Sequence, residues 1–401
     1  MRFFVLENGL RTAAGHHLNN SLGLRQSLAK HDVPAHFLIN RKADPTSIAA
    51  LDARACISFT PYDQASNDEL CGEIESLHIQ ANMIAAELGN ELGSQICADD
   101  VLLVPTATQH EILALAWMLR RLSPDRLPRV ILNFVRENFL APETYAPGSI
   151  AGLYRFAAKA LRRSVPGRCL MTSNGARMSE MLSHILHQEV VTCPIPKTYP
   201  AALVESTRPR EPGGRLRVGV FGDMNGYKGF GLIPALIEAF PDLDWLVQAP
   251  KDGSARYWGP LDESMRAHPN LELVAAGISP ERYYALFGAV DIVLTPYDMR
   301  LKRLQTSGVF AEAVAAGKVV VAPATPWVME HRQQEAWCGE VFEAPDAGEI
   351  AAALSRICEN FVALSAGAAE KSATWRQTQS VDAYVARMLE WLDTSGSGDK
   401  S

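Results

Sequence analysis

The residues best placed to do chemistry lie in the run Ser307-Gly308-Val309-Phe310-Ala311-Glu312. Serine is a strong helix N-cap, and Gly308 lets a ligand come close to the backbone. The N–H groups of Gly308, Val309 and Phe310 would then face an anion with the helix dipole behind them. Glu312 follows four residues after Gly308, on the same helix face and roughly 6 Å further along. A diphosphate at the helix start would leave Glu312 to hold the hydroxyls of the sugar attached to it. An ordinary capped core helix carries the same signature, so the stretch needs a partner.

Upstream, residues 218–229 supply one. They read as an apolar strand, the glycine-rich loop Gly222-Asp223-Met224-Asn225-Gly226-Tyr227, then Lys228 and Gly229. No Ser or Thr follows Lys228, so this is not a Walker A loop, and it is not a regular Gly-x-Gly-x-x-Gly fingerprint. Lys228 suits a point contact to phosphate, with Gly222 and Asn225 in the same loop. In the first half, Gly15-His16-His17 opens the first long helix, and His16 or His17 could carry a proton near neutral pH. Thr106-Ala107-Thr108-Gln109-His110-Glu111 follows the strand 101–104, which makes Thr108 and His110 candidates. Position 114 is Ala, so His110-Glu111 lacks the second histidine of a zinc helix. Arg136 and Glu137, after the next strand, are either site groups or an ion pair.

These residues must be held by alternating strands and helices. Apolar strands are predicted at 2–6, 35–39, 101–105, 129–133 and 168–172, with helices at 15–30, 67–90, 107–122 and 174–187. Residues 205–214 hold two prolines and two glycines without periodicity and read as a linker. A second series follows, with strands at 217–221, 244–248, 271–275, 290–294 and 318–322. Its helices are expected at 229–240, 279–288, 307–316 and 348–360, with a last apolar stripe at 376–392. Such alternation predicts an α/β fold of two Rossmann-like domains, each with a parallel sheet, facing one another across a cleft. The expected domains are 1–205, with the last helix (about 376–393) returning to it, and 215–375. Relative motion is expected at 205–214 and near 370–376, and the tail from Thr394 is expected to be disordered.

Composition narrows the function. The 401 residues are 47% hydrophobic and 21% charged, an ordinary globular balance, and the net charge of −7 offers nucleic acid no general attraction. The seven cysteines form no Cys-x-x-Cys pair and sit at no metal-ligand spacing, as expected of reduced thiols in a cytoplasmic protein. Apolar runs of 18 residues are absent from the sequence, so no membrane span is expected. The segment 154–168 is locally basic. It reads as a solvated surface helix, with peripheral contact to anionic lipid at the inner membrane face as the alternative.

Four segments together resemble the retaining GT-B glycosyltransferases, particularly the large family-four group, of which this chain would be a divergent member. They are Gly15-His16-His17, the Gly222–Lys228–Gly229 loop, Asp291-Ile292-Val293-Leu294-Thr295-Pro296-Tyr297, and the block from Ser307 to Pro323. The resemblance implies an enzyme of carbohydrate biosynthesis, a hexosyltransferase. It would move sugar from a nucleotide-diphosphate sugar to an acceptor hydroxyl of a glycan, lipid or protein, with retention and without metal or other cofactor. It also implies a donor site of Gly15, Gly222, Asn225, Lys228, Tyr297, Arg303, Ser307, Gly308, Val309 and Glu312, with Glu312 on the ribose. His16, His17 and Lys228 would serve catalysis, and Thr108, His110 and Arg136 the acceptor side. The chain departs from the family at Leu304, where the first of two glutamates usually stands, Glu312 matching the second, and at Gly222-Asp223, where an arginine is usual. Arg300, Lys302 and Arg303 are the candidate replacements for that charge. An epimerase or phosphorylase on the same fold, or a non-catalytic nucleotide-sugar binding protein, shares most of these signals.

Overall fold

The computed structural model describes residues 1–12, 16–61, 70–141, 144, 146–207, 214–222, 228–249, 268–275, 278–299 and 303–396. The chain forms two compact units, Met1–Thr198 with Val381–Ser401, and Tyr199–Ser380. The first contains β1 (Phe3–Glu7), α1 (His16–Ala29), β2 (Ala35–Asn40), α2 (Pro45–Leu51), β3 (Arg54–Ile57), α3 (Leu70–Leu92), β4 (Val101–Val104), α4 (Gln109–Leu119), β5 (Arg129–Phe134), α5 (Ser149–Ser164), β6 (Cys169–Ser173), α6 (Ala176–Leu186) and β7 (Val191–Thr192). The second contains α7 (Ala201–Glu205), β8 (Arg217–Val220), α8 (Ile233–Ala239), β9 (Asp244–Ala249), β10 (Leu271–Ala275), α9 (Pro280–Gly288), β11 (Ile292–Leu294), α10 (Gly308–Ala315), β12 (Val319–Pro323), α11 (Pro326–Gln333), β13 (Gly339–Phe342) and α12 (Ala347–Thr378). Helix α13 (Val381–Gly396) belongs to the first unit.

Each unit is built on one sheet, ordered β3-β2-β1-β4-β5-β6-β7 in the first and β10-β9-β8-β11-β12-β13 in the second. Every strand pairing among the described residues is parallel. Strands β1, β4 and β12 are buried along their whole length, as continuous apolar runs in a doubly covered sheet must be. In both sheets the order reverses beside the first strand. Phe3 of β1 lies between Ala35 and Val101, and Val218 of β8 lies between Trp245 and Ile292. Crossovers leave such a strand toward opposite sides and open a crevice at the carboxyl ends of the pair.

Helix starts are set by short polar caps. Asp44, Ser279, Thr325 and Asp346 each accept the N–H three residues on, and proline follows the first three of them. The first core gathers Phe3, Val5, Ile39, Val101 and Leu103, and includes Val385 and Met388 of α13. The second gathers Val218, Trp245, Ile292, Val319 and Val321 with Ile350, Leu354 and Ile357 of α12.

Several elements differ from the sequence expectation. The helix foreseen at 229–240 opens as a 3-10 turn over Phe230–Leu232. The one foreseen at 348–360 runs on to Thr378, and the stripe at 376–392 is divided by a break at Gln379 and Ser380 before α13. Residues 370–376 form part of α12, with Ser372 and Trp375 buried. The chain passes between units at Thr198/Tyr199 and Ser380/Val381. Of the expected linker, Glu205 ends α7, and Ser206 and Thr207 bond back to Leu203 and Val204. The stretch 208–213 lies outside the described residues, as do tail residues 397–401. Among the described residues the span Ala347–Thr394, α12 and α13 taken across their break, is long and apolar enough to cross a membrane by length and composition, with a mean hydropathy of 1.2 over 18 residues. In this fold its Ile350, Ala353, Leu354 and Ile357 pack into the second core.

Candidate functional site

In the second unit the switch between β8 and β11 brings together Gly222, Lys228 and the Ser307 helix start. Strand β8 ends at Val220 and runs through buried Phe221 into Gly222, whose φ is +106°. Its N–H donates to Gln248 Oε1 of β9 at 2.8 Å. A Cβ placed on Gly222 would lie 3.0 Å from Lys228 Nζ and 3.2 Å from Val309 Cγ2. Three residues far apart in sequence therefore converge: the loop glycine, the lysine that closes the loop, and the first turn of α10. Lys228 Nζ also lies 5.8 Å from the centre of the Tyr297 ring, where a cation is attracted by the ring face. Gly229 has φ +70°, and a Cβ there would strike Pro296 O at 1.8 Å, so only glycine lets the two strand ends approach this closely.

Ser307 caps α10 as predicted, its Oγ accepting from Phe310 N at 3.1 Å. That bond takes one of the three N–H groups expected to face an anion. Those of Gly308 and Val309 remain without an intrahelical acceptor. Phe310 is fully buried, with ring centres of Trp327, Trp337 and Trp375 at 5.4, 5.1 and 6.1 Å, which fixes the helix start from behind. Glu312 is 4% exposed and accepts from Tyr283 Oη at 2.8 Å. Burial, then the charge of Glu312, raises the Tyr283 pKa well above 10, so the phenol stays protonated and donates. Two N–H groups without an intrahelical acceptor and an ammonium thus lie together at this strand switch, with the buried Glu312 carboxylate one turn on.

Among the other predicted donor residues, Arg303 is exposed and Tyr297 half-buried. Leu304, where the resemblance would have a glutamate, is buried. Gly15, Asn225, Arg300 and Lys302 lie outside the described residues, as does the side chain of His16.

In the first unit His17 Nδ1 lies 3.0 Å from Glu7 Oε1, at the carboxyl end of β1. Burial disfavours the imidazolium, but the charge and hydrogen bond of Glu7 outweigh it, so the His17 pKa is raised. Thr108 is the N-cap of α4 in a reciprocal capping box with Glu111. Asn8 Nδ2 donates to the other oxygen of Glu111 at 2.5 Å. His110 is 1% exposed, and burial pushes its pKa down to about 4. Its ring packs 5.0 Å from Phe59. The Arg136 guanidinium donates to Pro61 O. Thr108 and His110 are thus buried at the start of α4, and Arg136 ties the segment after β3 to the β5 end. In the basic segment, Arg155 and Arg162 bind the carbonyls of Ile185 and His187, both at 2.8 Å, while Phe156 is 58% exposed.

Gln248, Tyr283 and Glu7 were not among the predicted site residues. Each carries a faint signal: a lone amide inside an apolar strand, a Tyr-Tyr pair on a short helix, and a carboxylate ending a buried strand.

No family model matches this sequence, and no curated protein matches it. Solved structures do. A sucrose-phosphate synthase from Thermosynechococcus elongatus aligns with a TM-score of 0.70 at 13% identity, over 99% of this chain and 100% of that one. A glycosyltransferase from Rickettsia africae aligns at 0.67 and 12% identity, over 98% of each chain. Anabaena HepE in complex with UDP-glucose aligns at 0.56 and 14% identity, over 98% of this chain and 100% of that one. At these identities the likeness is one of fold: two parallel-sheet Rossmann-like domains in the GT-B arrangement of elements.

Proposed function

We propose that the protein is a glycosyltransferase, taking a hexosyl group from a nucleotide-diphosphate sugar to an acceptor hydroxyl with retention of configuration. The observation that carries this reading is the convergence of Gly222, Lys228 and Val309 at the switch of the second sheet, one helical turn from Glu312. In the proposed complex the N–H groups of Gly308 and Val309 and the Lys228 ammonium neutralise the diphosphate as it leaves, where its charge grows. Glu312 accepts from ribose hydroxyls. The departing phosphate oxygen takes the proton of the attacking hydroxyl, so no carboxylate base and no resident metal is required of the protein. A cytoplasmic location, with Phe156, Lys159 and Arg163 of α5 toward an anionic surface, belongs to the same proposal. A neighbour that binds UDP-glucose on this fold supports the choice of donor class.

Thermal-shift measurements against UDP-, ADP- and GDP-sugars identify the donor, because a ligand that binds only the folded state raises the melting temperature. Turnover of that donor with cell-extract acceptors then separates transfer from epimerisation and from binding alone. Glu312→Ala weakens donor binding by about 1.5–3 kcal/mol, the range for a hydrogen bond to a charged group. Unchanged affinity by calorimetry, with the fold intact, removes Glu312 from the site.

A further inference from the structure

We propose that Tyr283 is a positioning residue of the donor site, fixing the Glu312 carboxylate for a ribose hydroxyl and tying it to the strand end that carries Gly222. The inference rests on the reading of Glu312 given above and concerns a residue that the sequence motifs do not include. Tyr283 is in the first turn of α9, whose start is fixed by the Ser279 cap and Pro280. Its ring packs 5.6 Å from Phe287 and 6.5 Å from Phe221, the residue immediately before Gly222. Its hydroxyl donates to Glu312 Oε2 at 2.8 Å. One side chain thus touches both halves of the site, the loop half through its ring and the helix half through its oxygen.

The chemistry explains why a phenol is useful here. A carboxylate that is 4% exposed costs free energy unless it is hydrogen-bonded. Left to itself it would rotate among partners, and each rotamer lost on ligand binding lowers affinity. A donor held rigid by two aromatic neighbours removes that freedom before the ligand arrives. It also holds one oxygen in place, which fixes the orientation of the carboxylate plane. Phenylalanine would keep the packing and lose the direction.

The test is the preference for ribose over 2′-deoxyribose. UDP, ADP and GDP and their 2′-deoxy counterparts are titrated by calorimetry into the full-length wild type and into Tyr283→Phe, with Tyr283→Leu as a second hydroxyl-free variant should the first not fold. Wild type is expected to favour the ribonucleotide by about 10-fold or more, the low end for a hydrogen bond to a charged group. In the variants that preference falls to about 3-fold or less, through weaker binding of the ribonucleotide. Glu312→Gln combined with Tyr283→Phe costs less than the two single changes together, as expected of residues acting through one contact. A Tyr283→Phe protein that retains the full ribose preference overturns the positioning role and leaves the donor site standing. Wild type that binds none of the three diphosphates overturns the donor-site reading and this inference with it.

Discussion

Replacing Gly222 by alanine separates the backbone demands of the loop from its electrostatic ones. At φ +106° the backbone is in a region that L residues avoid. Entry into left-handed conformations costs about 1–2 kcal/mol per residue. For a unit of this size that loss lowers the melting temperature by roughly 2–8 °C. The added Cβ meets Lys228 Nζ at 3.0 Å and Val309 Cγ2 at 3.2 Å. Val309 is in a helix locked by a cap and three tryptophans, whereas the lysine ends in a flexible chain, so the lysine gives way. Its ammonium then leaves the phosphate position, and a charged hydrogen bond of about 1.5–3 kcal/mol goes with it. Nucleoside diphosphate affinity should fall about 10- to 150-fold. Calorimetric titration with UDP, ADP and GDP reads the second loss, and scanning calorimetry of the free protein reads the first. Gly231→Ala is the control, since a Cβ there meets nothing within 4 Å. Lower stability with undiminished affinity would refute the placement of Lys228 at a phosphate. No change in either quantity would refute the loop conformation itself.

Lys228→Ala should depress turnover and weaken the free nucleoside diphosphate by about 10- to 150-fold. A change confined to the preference among sugars would put the lysine at the other end of the donor. The raised pKa of His17 means that its pairing with Glu7 stabilises the fold fully below about pH 6.5, the unfolded value, and is lost as pH rises through the higher folded value. The melting-temperature gap between wild type and His17→Gln should therefore be widest in acid and narrow with rising pH, and a pH-independent gap would refute the pair. Lys318 is 7% exposed and burial lowers its pKa to about 8. Its charge burdens the fold below pH 8, and the burden lifts between about pH 8 and 10.5 as only the unfolded chain keeps the proton. Lys318→Met should raise the melting temperature at pH 7 and lose that advantage by pH 10.5, which thermal scans across the range would check.

The legible part of this protein was the part whose chemistry is local. Ser307 capping, the helix behind it and the strand Val319–Pro323 follow from residues within four positions of one another. Strand β13 was not legible, because Gly339 and Glu340 break any apolar run and its pairing to Val320 and Val321 is a tertiary matter. The length of α12 was missed because Asn360, Val362 and Ala363 turn outward and dilute the stripe beyond Ile357. Tyr283 and Gln248 sit 29 and 26 residues from the groups they hold. They look like an ordinary aromatic helix and an ordinary buried strand until the strand order brings them to one crevice. The capping bond that takes the Phe310 N–H was implicit in Ser307 itself, yet the cap and the anion site compete for the same donors, and only geometry apportions them.

The return of α13 to the first unit has a consequence for how the chain matures. Val381, Tyr384, Val385, Met388 and Leu392 are buried members of the first core. During synthesis the seven strands of that sheet emerge before the second unit, but the apolar surface these residues cover stays open until α13 has left the ribosome. The second unit has every strand it needs by Phe342 and its core helix soon after. The half made first is therefore the half finished last, and it passes through synthesis with an incomplete core. Such a surface is where chaperones and aggregation compete for a nascent chain. Chains cut short anywhere before α13 should fail in their N-terminal half, far from the break.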